Sequence, residues 1–425
     1  MMKRVKLLSA VLAASLLLGG CRQASGERPL KNDPQAKTEI DLDEVWDTDF
    51  DSKLMGKEYR RYCFELFSQT VKDTKTEDNI MISPASIMMA LDMVAAGAKE
   101  ETLSQLTDLF AKGQAPLTQQ AYAAQLMDSI NVSRNVDFSC ANAVWANESI
   151  LGNKVNQDYV EYIEEAFVAD YKVDKFSNKT VNEINDWVDD HTDHMIRKIV
   201  NNLDPDTAMV LVNAIAFDAK WAEPYKEHQI EEGDFTAYDG NIQNATFLNW
   251  KTGLYFENDK ATGFIKGYKG GDYYFIVMLP KDESVSANEF IKGFTPEDYE
   301  EFIHSRTSDF DVYTKLPEFK YDFEYSVNDT IKNLGAGDVF DPSTADLSGI
   351  SGKPGDLYVS QVIHKTHIEL DRNGTKAAAA TSAMVATGAS MQERETREVF
   401  CDRPFAYAIV DKNMAPIFIG TVNSV

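Results

Sequence analysis

Apolar and polar positions follow two different periods along the chain, so the sequence predicts both helices and strands. Apolar residues recur at helical spacing in residues 54–67, 87–96 and 181–199. Strand-like apolar runs are shorter and occupy residues 210–217, 273–279, 405–410 and 416–422. Helices and strands are interleaved without a regular βαβ order or an internal repeat. This arrangement favours an α+β fold over a doubly wound sheet.

The segment that follows Asn373 consists almost entirely of small residues and fits no single structure. Gly374 and Thr381 flank four alanines and are poor helix formers, and the segment has no amphipathic stripe. Read at strand period, one face carries Thr375, Ala377, Ala379, Thr381, Ala383, Val385, Thr387, Ala389 and Met391. Lys376 lies on the other face. We therefore predict a strand that can be inserted into a sheet.

Some twenty residues separate the alanines from the last two strands, ending in the charged run of residues 392–398. A loop of this length within a compact domain is normally functional or disordered. We predict that this loop is functional.

The composition is that of a folded globular protein. The chain has 425 residues, of which 44% are hydrophobic and 11% aromatic, and we expect one large domain. The formal net charge of −26 has the wrong sign for a nucleic-acid backbone, so we expect no nucleic-acid partner.

The N-terminus has the pattern of an export signal. Basic residues precede a short apolar stretch at residues 7–18, too short to span a membrane. The stretch ends in Leu-Gly-Gly-Cys21, which resembles the bacterial lipobox, whose cysteine is lipidated. We expect a signal peptide at residues 1–20, a lipid anchor on Cys21 and a flexible tether at residues 21–50. The protein would then be an exported, lipid-anchored component of the bacterial cell envelope, with the cell surface as one location open to it. An ordinary signal peptide with a chance cysteine is the alternative.

The other cysteines and the histidines do not form a pattern typical of a metal site. Cys63, Cys140 and Cys401 are odd in number and lack metal-ligand spacing, so buried free thiols are expected. His191 and His194 could bind a metal weakly, but a solvated helix face is the simpler interpretation. We expect no metal and no cofactor. The chain also lacks GxSxG, HExxH and phosphate-loop motifs, so we expect no enzymatic activity.

Several separated motifs together resemble the serpin family of serine protease inhibitors, from about Leu54 to the C-terminus. They are residues 79–86 with Ala90-Leu91 and Gly97-Ala98, residues 211–217 with Trp221 and Pro224, Leu316 to Phe319, Leu334-Gly335 with Phe340, residues 345–349, His364-Lys365, Gly374-Thr375, residues 402–405 and Phe418 to Gly420. The resemblance implies one serpin domain at residues 51–425, with a central mixed sheet, further sheets, surrounding helices and an exposed reactive-centre loop at about residues 374–403.

The resemblance also implies roles for individual residues. Ser83, Ser86, Asn213 and His364 would form the shutter, a polar cluster beneath the sheet, and Trp221 would lie at the breach, where the sheet opens. The simpler alternatives are a helix N-cap for Ser83, a satisfied core histidine for His364 and an ordinary core residue for Trp221. The hinge of the loop would comprise Gly374, Thr375, Lys376, Ala377, Ala378, Ala379, Ala380 and Thr381.

The mechanism that the resemblance implies is suicide inhibition of serine endopeptidases, with cysteine endopeptidases as a further class. The target protease cleaves the loop, remains attached as an acyl-enzyme and is trapped when residues 374–388 insert as a new strand. Small inward residues and the absence of proline favour insertion. We expect the protein to be a monomer whose partners are its target proteases and, through Cys21, a membrane.

Two counts along the loop give two candidate bonds. Counting forward from Gly374 places the bond at Gly388-Ala389, and counting back from Pro404 places it near Glu393-Arg394. Insertability favours the earlier bond because Glu393 would face the sheet. The alternative function is a non-inhibitory serpin-fold binding protein tethered to the cell envelope.

Overall fold

The computed structural model describes residues 42–131, 136–152, 154–204, 206–375 and 394–425, all within one compact unit that spans Thr38–Val425. The signal segment 1–20, Cys21, most of the tether, hinge residues 376–381, Gly388, Ala389 and Glu393 lie outside the described residues. No described helix is both long enough and apolar enough to cross a membrane.

Ten α-helices lie in the described residues. They are α1 (Leu42–Asp47), α2 (Ser52–Thr74), α3 (Pro84–Ala95), α4 (Glu100–Phe110), α5 (Pro116–Asn131), α6 (Gln157–Ala166), α7 (Asn178–His191), α8 (Ala287–Gly293), α9 (Pro296–His304) and α10 (Asn328–Asn333).

The described residues also contain sixteen strands. They are β1 (Met81–Ile82), β2 (Asp137–Asn147), β3 (Ala169–Asp174), β4 (Met209–Lys220), β5 (Ile230–Thr236), β6 (Ile242–Thr252), β7 (Tyr255–Glu257), β8 (Ala261–Gly267), β9 (Tyr273–Pro280), β10 (Asp311–Pro317), β11 (Phe319–Ser326), β12 (Ile363–Asp371), β13 (Gly374–Thr375), β14 (Thr396–Phe400), β15 (Phe405–Asp411) and β16 (Pro416–Val422).

These strands form three sheets. The main sheet has the order β11-β12-β13-β4-β2-β3 and is mixed, since β2 and β3 are parallel while its other neighbours are antiparallel. The second sheet has the order β1-β16-β15-β9-β8-β7, and the third has the order β14-β10-β6-β5. The α+β fold predicted from the sequence, with a central mixed sheet, is confirmed.

The two faces of the main sheet contact different parts of the core. On β12 the even-numbered residues from His364 to Leu370 are buried and the odd-numbered ones are partly exposed. Ile215 and Phe217 of β4 belong to the large core that also contains β15 and β16, whereas Val212 and Ala214 pack with α7 on the other face. A new strand in this sheet would therefore need apolar or small residues at alternate positions.

Helix α3 begins as its sequence predicts. Ser83 is extended, its hydroxyl accepts a hydrogen bond from the Ser86 amide at 3.2 Å, and Pro84 occupies the first turn. All twelve residues of α3 are buried, in agreement with its largely apolar sequence.

The helix predicted over residues 181–199 ends earlier than expected, at His191. Asp193 and His194 adopt positive φ values of 48° and 60°, which no α-helix accommodates. The Thr192 hydroxyl accepts the Ile196 amide at 3.0 Å and turns the chain. Ile196 and Ile199 then pack beside α7 rather than continue it.

Asp92 is a charged residue type buried in the middle of α3. Neither of its carboxylate oxygens has a hydrogen-bond partner in the described part of the chain. Burial raises the pKa of Asp92 to about 7, and the amide of Gln119 on α5 opposes this shift only in part. Burial raises the pKa of Tyr162 on α6, and a negative charge on the nearby Asp92 raises the pKa of Tyr162 further.

We predict that Asp92→Asn stabilises the protein most strongly above pH 7. The folded state keeps a proton on Asp92 between about pH 4 and pH 7 that the unfolded chain releases, so the stability of the wild type falls as the pH rises through this window. The free energy of unfolding of the variant should not decrease in this window, whereas that of the wild type should decrease by an amount of the order of 4 kcal/mol. Denaturant midpoints from pH 4.5 to pH 8 measure it, with exposed Glu161→Gln as the control. Identical profiles for Asp92→Asn and the wild type would contradict the prediction.

Candidate functional site: the hinge and the polar network beneath the main sheet

The two-residue strand β13 lies between β12 and β4. Thr375 pairs with Leu370 on one side and Ala219 on the other, and Gly374 pairs with Asp371 and Lys220. A Cβ on Gly374 would lie 2.0 Å from the Ala219 carbonyl oxygen, so the position requires glycine. β4 and β12 both extend well beyond β13. We call the strand position that β13 begins between them the insertion position.

A tight turn joins β12 to β13. The Asp371 carboxylate accepts the Asn373 amide at 2.6 Å and the Gly374 amide at 3.1 Å. Arg372 Nε lies 3.4 Å from Glu318 Oε1, which ties the turn to the start of β11. These contacts fix the point at which the chain leaves β12.

Trp221, the predicted breach residue, contacts this turn. Its indole Nε1 donates to the Asp371 carbonyl at 3.0 Å, and its backbone amide donates to the Asn373 carbonyl at 2.8 Å. Its ring stacks on Tyr268 with centroids 4.5 Å apart, and the Tyr268 hydroxyl lies 2.6 Å from Thr375 Oγ1. Trp221 thus joins the end of β4 to the end of β12. We call this the hinge end of the main sheet.

The structure brings together the four residues assigned to the shutter. The Ser83 amide donates to His364 Nε2 on β12 at 2.9 Å. On the other side, the Ser86 hydroxyl donates to Asn213 Oδ1 on β4. Ser83 and Ser86 are themselves joined by the N-cap hydrogen bond. The N-terminus of α3 therefore bridges the two strands that flank the insertion position.

The network continues through residues that the sequence analysis missed. The Asn213 side-chain amide donates to Asn142 Oδ1 at 2.6 Å, and Asn142 Nδ2 donates to the Phe167 carbonyl at 2.8 Å. Thr366 Oγ1 donates to the Met81 carbonyl at 2.8 Å. Polar residues on the inward face of otherwise apolar strands are the signal that could have identified Asn142 and Thr366.

His364 is held as a neutral acceptor. It is 4% exposed, and burial lowers its pKa to about 3. Because Nε2 accepts the Ser83 amide, the ring proton of the neutral form resides on Nδ1. Protonation of Nε2 would remove this acceptor and place an unpaired charge beneath the sheet.

An open cavity of about 1030 Å³ lies at the other end of the insertion position, which we call the foot. Met209 and Val210 at the start of β4 line one side of it, and Ile363 at the start of β12 lines another. The insertion position thus runs from the hinge end, past the shutter residues, to a solvent-accessible foot.

The second attachment of the loop segment is on the third sheet. β14 pairs in parallel with β10 from Asp311–Thr396 to Lys315–Phe400. Ahead of β14, Arg394 Nη1 donates to the Ser308 carbonyl at 3.1 Å, and the Asp311 amide donates to the Glu395 carbonyl at 3.0 Å. Arg394, one of the two residues at the alternative reactive bond, is therefore anchored.

The remaining predicted residues do not join the network. His191 stacks on Trp187 at 4.2 Å, while His194 Nδ1 lies 2.8 Å from Asp189, so the two imidazoles have different partners. Cys63 and Cys401 are buried free thiols, and burial raises the pKa of each.

The family model for "Serpin (serine protease inhibitor)" matches residues 57–425, and this chain belongs to the serpin family. An uncharacterized serpin-like protein of Methanosarcina mazei is 30% identical over 431 residues, covering 99% of this chain and 98% of that protein. Leukocyte elastase inhibitor A of Mus musculus is 30% identical over 376 residues, covering 85% of this chain and 97% of that protein.

Among solved structures, the thermophilic serpin tengpin in its native state is 35% identical, with a TM-score of 0.79. The match covers 89% of this chain and 96% of tengpin. The architecture described above is therefore the serpin fold.

We predict that His364→Gln reduces the acid sensitivity of the protein. Because the folded pKa lies below the unfolded value of about 6.5, the wild type loses stability as the pH falls from 6.5 toward the folded pKa. Glutamine keeps an acceptor but does not titrate, so about 3 kcal/mol of the loss between pH 6.5 and pH 4 should disappear. Thermal midpoints measure the effect, with exposed His304→Gln as the control. An equal acid loss in wild type and His364→Gln would exclude this explanation.

Proposed function

We propose that this protein is a suicide inhibitor of serine endopeptidases that traps the acyl-enzyme by inserting residues 374–388 into the main sheet. The observation that carries the proposal is that β13 already occupies the first two residues of the insertion position. Its register with β4 and β12 fixes where every following residue would lie if the strand continued.

The continued register puts suitable residues at each position. Thr381 would lie between His364 and Asn213, the two strand residues that α3 bridges, and would face the core. Residue 385 would be opposite Met209, where β4 begins. All inward positions from 375 to 385 are alanine, threonine or valine, so the new strand fits a tightly packed face.

Lys376 would face outward, between Glu369 of β12 and Asp218 of β4. A basic residue between two carboxylates is favourable, whereas an acidic residue there would be repelled. The register therefore supports insertion of this hinge although Lys376 departs from the acidic residue that the family often has.

Chain length supports cleavage as the trigger. Insertion from Thr375 to Gly388 would carry the chain about 43 Å toward the foot at 3.3 Å per residue. The six residues from Gly388 to Arg394 span at most about 21 Å, too short for the return to the third sheet. That sheet lies at the hinge end, since Arg372 pairs with Glu227 immediately before β5. Full insertion thus requires either a cut in the loop or release of β14.

The anchoring of Arg394 favours Gly388-Ala389 as the reactive bond. A protease needs several free extended residues on both sides of the bond, and Arg394 and Glu395 are already engaged by Ser308 and Asp311. Gly388 and Ala389 are small residues, which an elastase-like specificity pocket accepts. The mouse relative is named a leukocyte elastase inhibitor, and this name supports the same target class.

We also propose the envelope location predicted from the N-terminus: cleavage of the signal at residues 1–20, lipidation of Cys21, and a tether to about residue 50 that holds a monomeric domain away from the membrane. This arrangement needs no membrane-spanning helix, since a cysteine that carries two acyl chains is a stable anchor. The domain partition 1–20, 21–50 and 51–425 is part of the proposal.

The lipid proposal predicts that a bacterial host incorporates labelled fatty acid into the full-length chain and that Cys21→Ser abolishes incorporation. Partition of the wild type into detergent phase, with the variant in the aqueous phase, is the second readout. Incorporation into Cys21→Ser at the wild-type level would refute lipidation at this residue and leave an ordinary export signal.

The alternative is a non-inhibitory binding protein on the same scaffold, because the fold alone does not fix the function. Such a protein would be cut in the loop, would leave the protease fully active and would gain no heat resistance on cleavage.

The deciding experiment mixes the form that begins after Cys21 with elastase-like, trypsin-like and subtilisin-like proteases. We predict a covalent complex that survives denaturation with the elastase-like enzyme, and a C-terminal fragment of residues 389–425 by mass spectrometry. A fragment of residues 394–425 would establish the alternative bond. Cleavage by every protease with full activity remaining would refute inhibition.

Thr381→Arg should convert the inhibitor into a substrate, because the continued register would bring the guanidinium between His364 and Asn213 in the buried network. Thr381→Ala is the matched control and should still form the complex. Equal complex formation by both variants would contradict the proposed register.

A further inference from the structure

Lys266 is a buried lysine on β8, in the strand that adjoins the hinge end of the main sheet. It is 2% exposed. The next residue, Gly267, accepts the Ala222 amide at 2.9 Å, and Tyr268 forms a bridge with Trp221. Lys266 carries the same kind of signal as Asn142 and Thr366, a polar residue in a largely apolar strand, and it was missed for the same reason.

The Lys266 ammonium lies among three aromatic rings. Its Nζ is 4.0 Å from the ring centroid of Trp250, 4.1 Å from that of Tyr225 and 5.6 Å from that of Trp221. These distances are typical of cation–π contacts, which are strongest where water is excluded. In the described part of the chain no ion pair involves Lys266, so the rings are its main stabilising neighbours. We call these three rings and Lys266 the cage.

Two walls of the cage hold the hinge turn directly. Trp221 donates from its indole to the Asp371 carbonyl and from its backbone to the Asn373 carbonyl. The Tyr225 amide donates to the Arg372 carbonyl at 2.9 Å. Every residue of the turn from 371 to 373 thus accepts a hydrogen bond from a cage residue, and Trp221 also stacks on Tyr268, which contacts Thr375.

Lys266 is the cage residue whose pKa lies near neutral pH, and the other titratable groups named around it are Glu223, Tyr225 and Cys401. Burial lowers the pKa of Lys266 to about 7, while exposed Glu223 raises it. Burial raises the pKa of Tyr225 and, next to it, of the Cys401 thiol, so both stay neutral. The ring faces also favour the charged ammonium.

We propose that Lys266 is a positioning residue that holds Trp221 and Tyr225 against the hinge turn and thereby keeps β13 seated in the insertion position. A seated β13 gives the cleaved loop its starting register, so insertion can outrun hydrolysis of the acyl-enzyme. This second step rests on the proposed inhibitory function, whereas the positioning itself does not.

Lys266→Met and Lys266→Arg test the proposal in the form that begins after Cys21. Methionine keeps the length and removes the charge, whereas arginine keeps a cation that stacks on rings. Hydrogen exchange of the amides of Trp221 and Tyr225 in the uncut protein reports the turn contacts. We expect exchange about tenfold faster in Lys266→Met and close to the wild type in Lys266→Arg, with β2 amides unchanged in both.

The second measurement is the number of inhibitor molecules consumed per trapped protease, with the acylation rate followed separately. We expect consumption to rise about threefold in Lys266→Met at an unchanged acylation rate, and to return toward the wild type in Lys266→Arg. In the wild type, consumption should also rise from pH 6 to pH 8.5 as the ammonium deprotonates, and this dependence should be absent from Lys266→Met.

The outcomes separate the two proposals. The positioning role would be overturned if amide exchange in Lys266→Met were unchanged, or if exchange became equally faster in Lys266→Met and Lys266→Arg. This conclusion would hold whether or not the protein is an inhibitor. Faster exchange with unchanged consumption would overturn the link to insertion. Faster exchange rescued by arginine, with no complex formed even by the wild type, would support the positioning role and reject the inhibitory function.

Discussion

The structure depends on how the facing edges of β4 and β12 are satisfied. Both strands are long, yet in the described chain only the two residues of β13 pair with both of them. Backbone N–H and C=O groups inside a protein need partners. Two fixed points join the strands: Trp221 and the Asp371 turn at the hinge end, and in the middle the N-terminus of α3, which contacts the side chains of His364 and Asn213. The core and the two other sheets support this arrangement.

Buried ionisable groups lie in three elements beside the insertion position or the hinge end. Asp92 in α3, His364 in β12 and Lys266 in β8 each have a pKa that burial shifts toward the neutral form. An apolar residue of the same size at each of these positions would make the folded state more stable. The native arrangement is thus less stable than its packing would allow. If the proposed insertion takes place, a native state of limited stability favours the acceptance of a further full-length strand.

Local patterns predicted the elements well where one interaction fixes them. Ser83-Pro84 identified the start of α3. Thr375, the first residue predicted to face inward on the small-residue segment, is buried, and the orientation of the later residues stays a prediction. The shutter residues came from the resemblance to a family, since nothing local links His364 with Ser83, 281 positions away. The cage was not predictable, because Lys266, Trp250, Tyr225 and Trp221 come from separate segments. The end of α7 was missed because positive φ at Asp193 and His194 leaves no clear sequence signal.

The position of β15 and β16 has a consequence for the protein after cleavage. Both strands are fully or almost fully buried, lie between β1 and β9, and connect to the loop only through β14. A cut in the loop would therefore break the polypeptide into two pieces that stay associated. The C-terminal piece remains the centre of a sheet and leaves only if that sheet unfolds. The cleaved protein is a two-chain, non-covalent heterodimer that native sizing methods would record as intact.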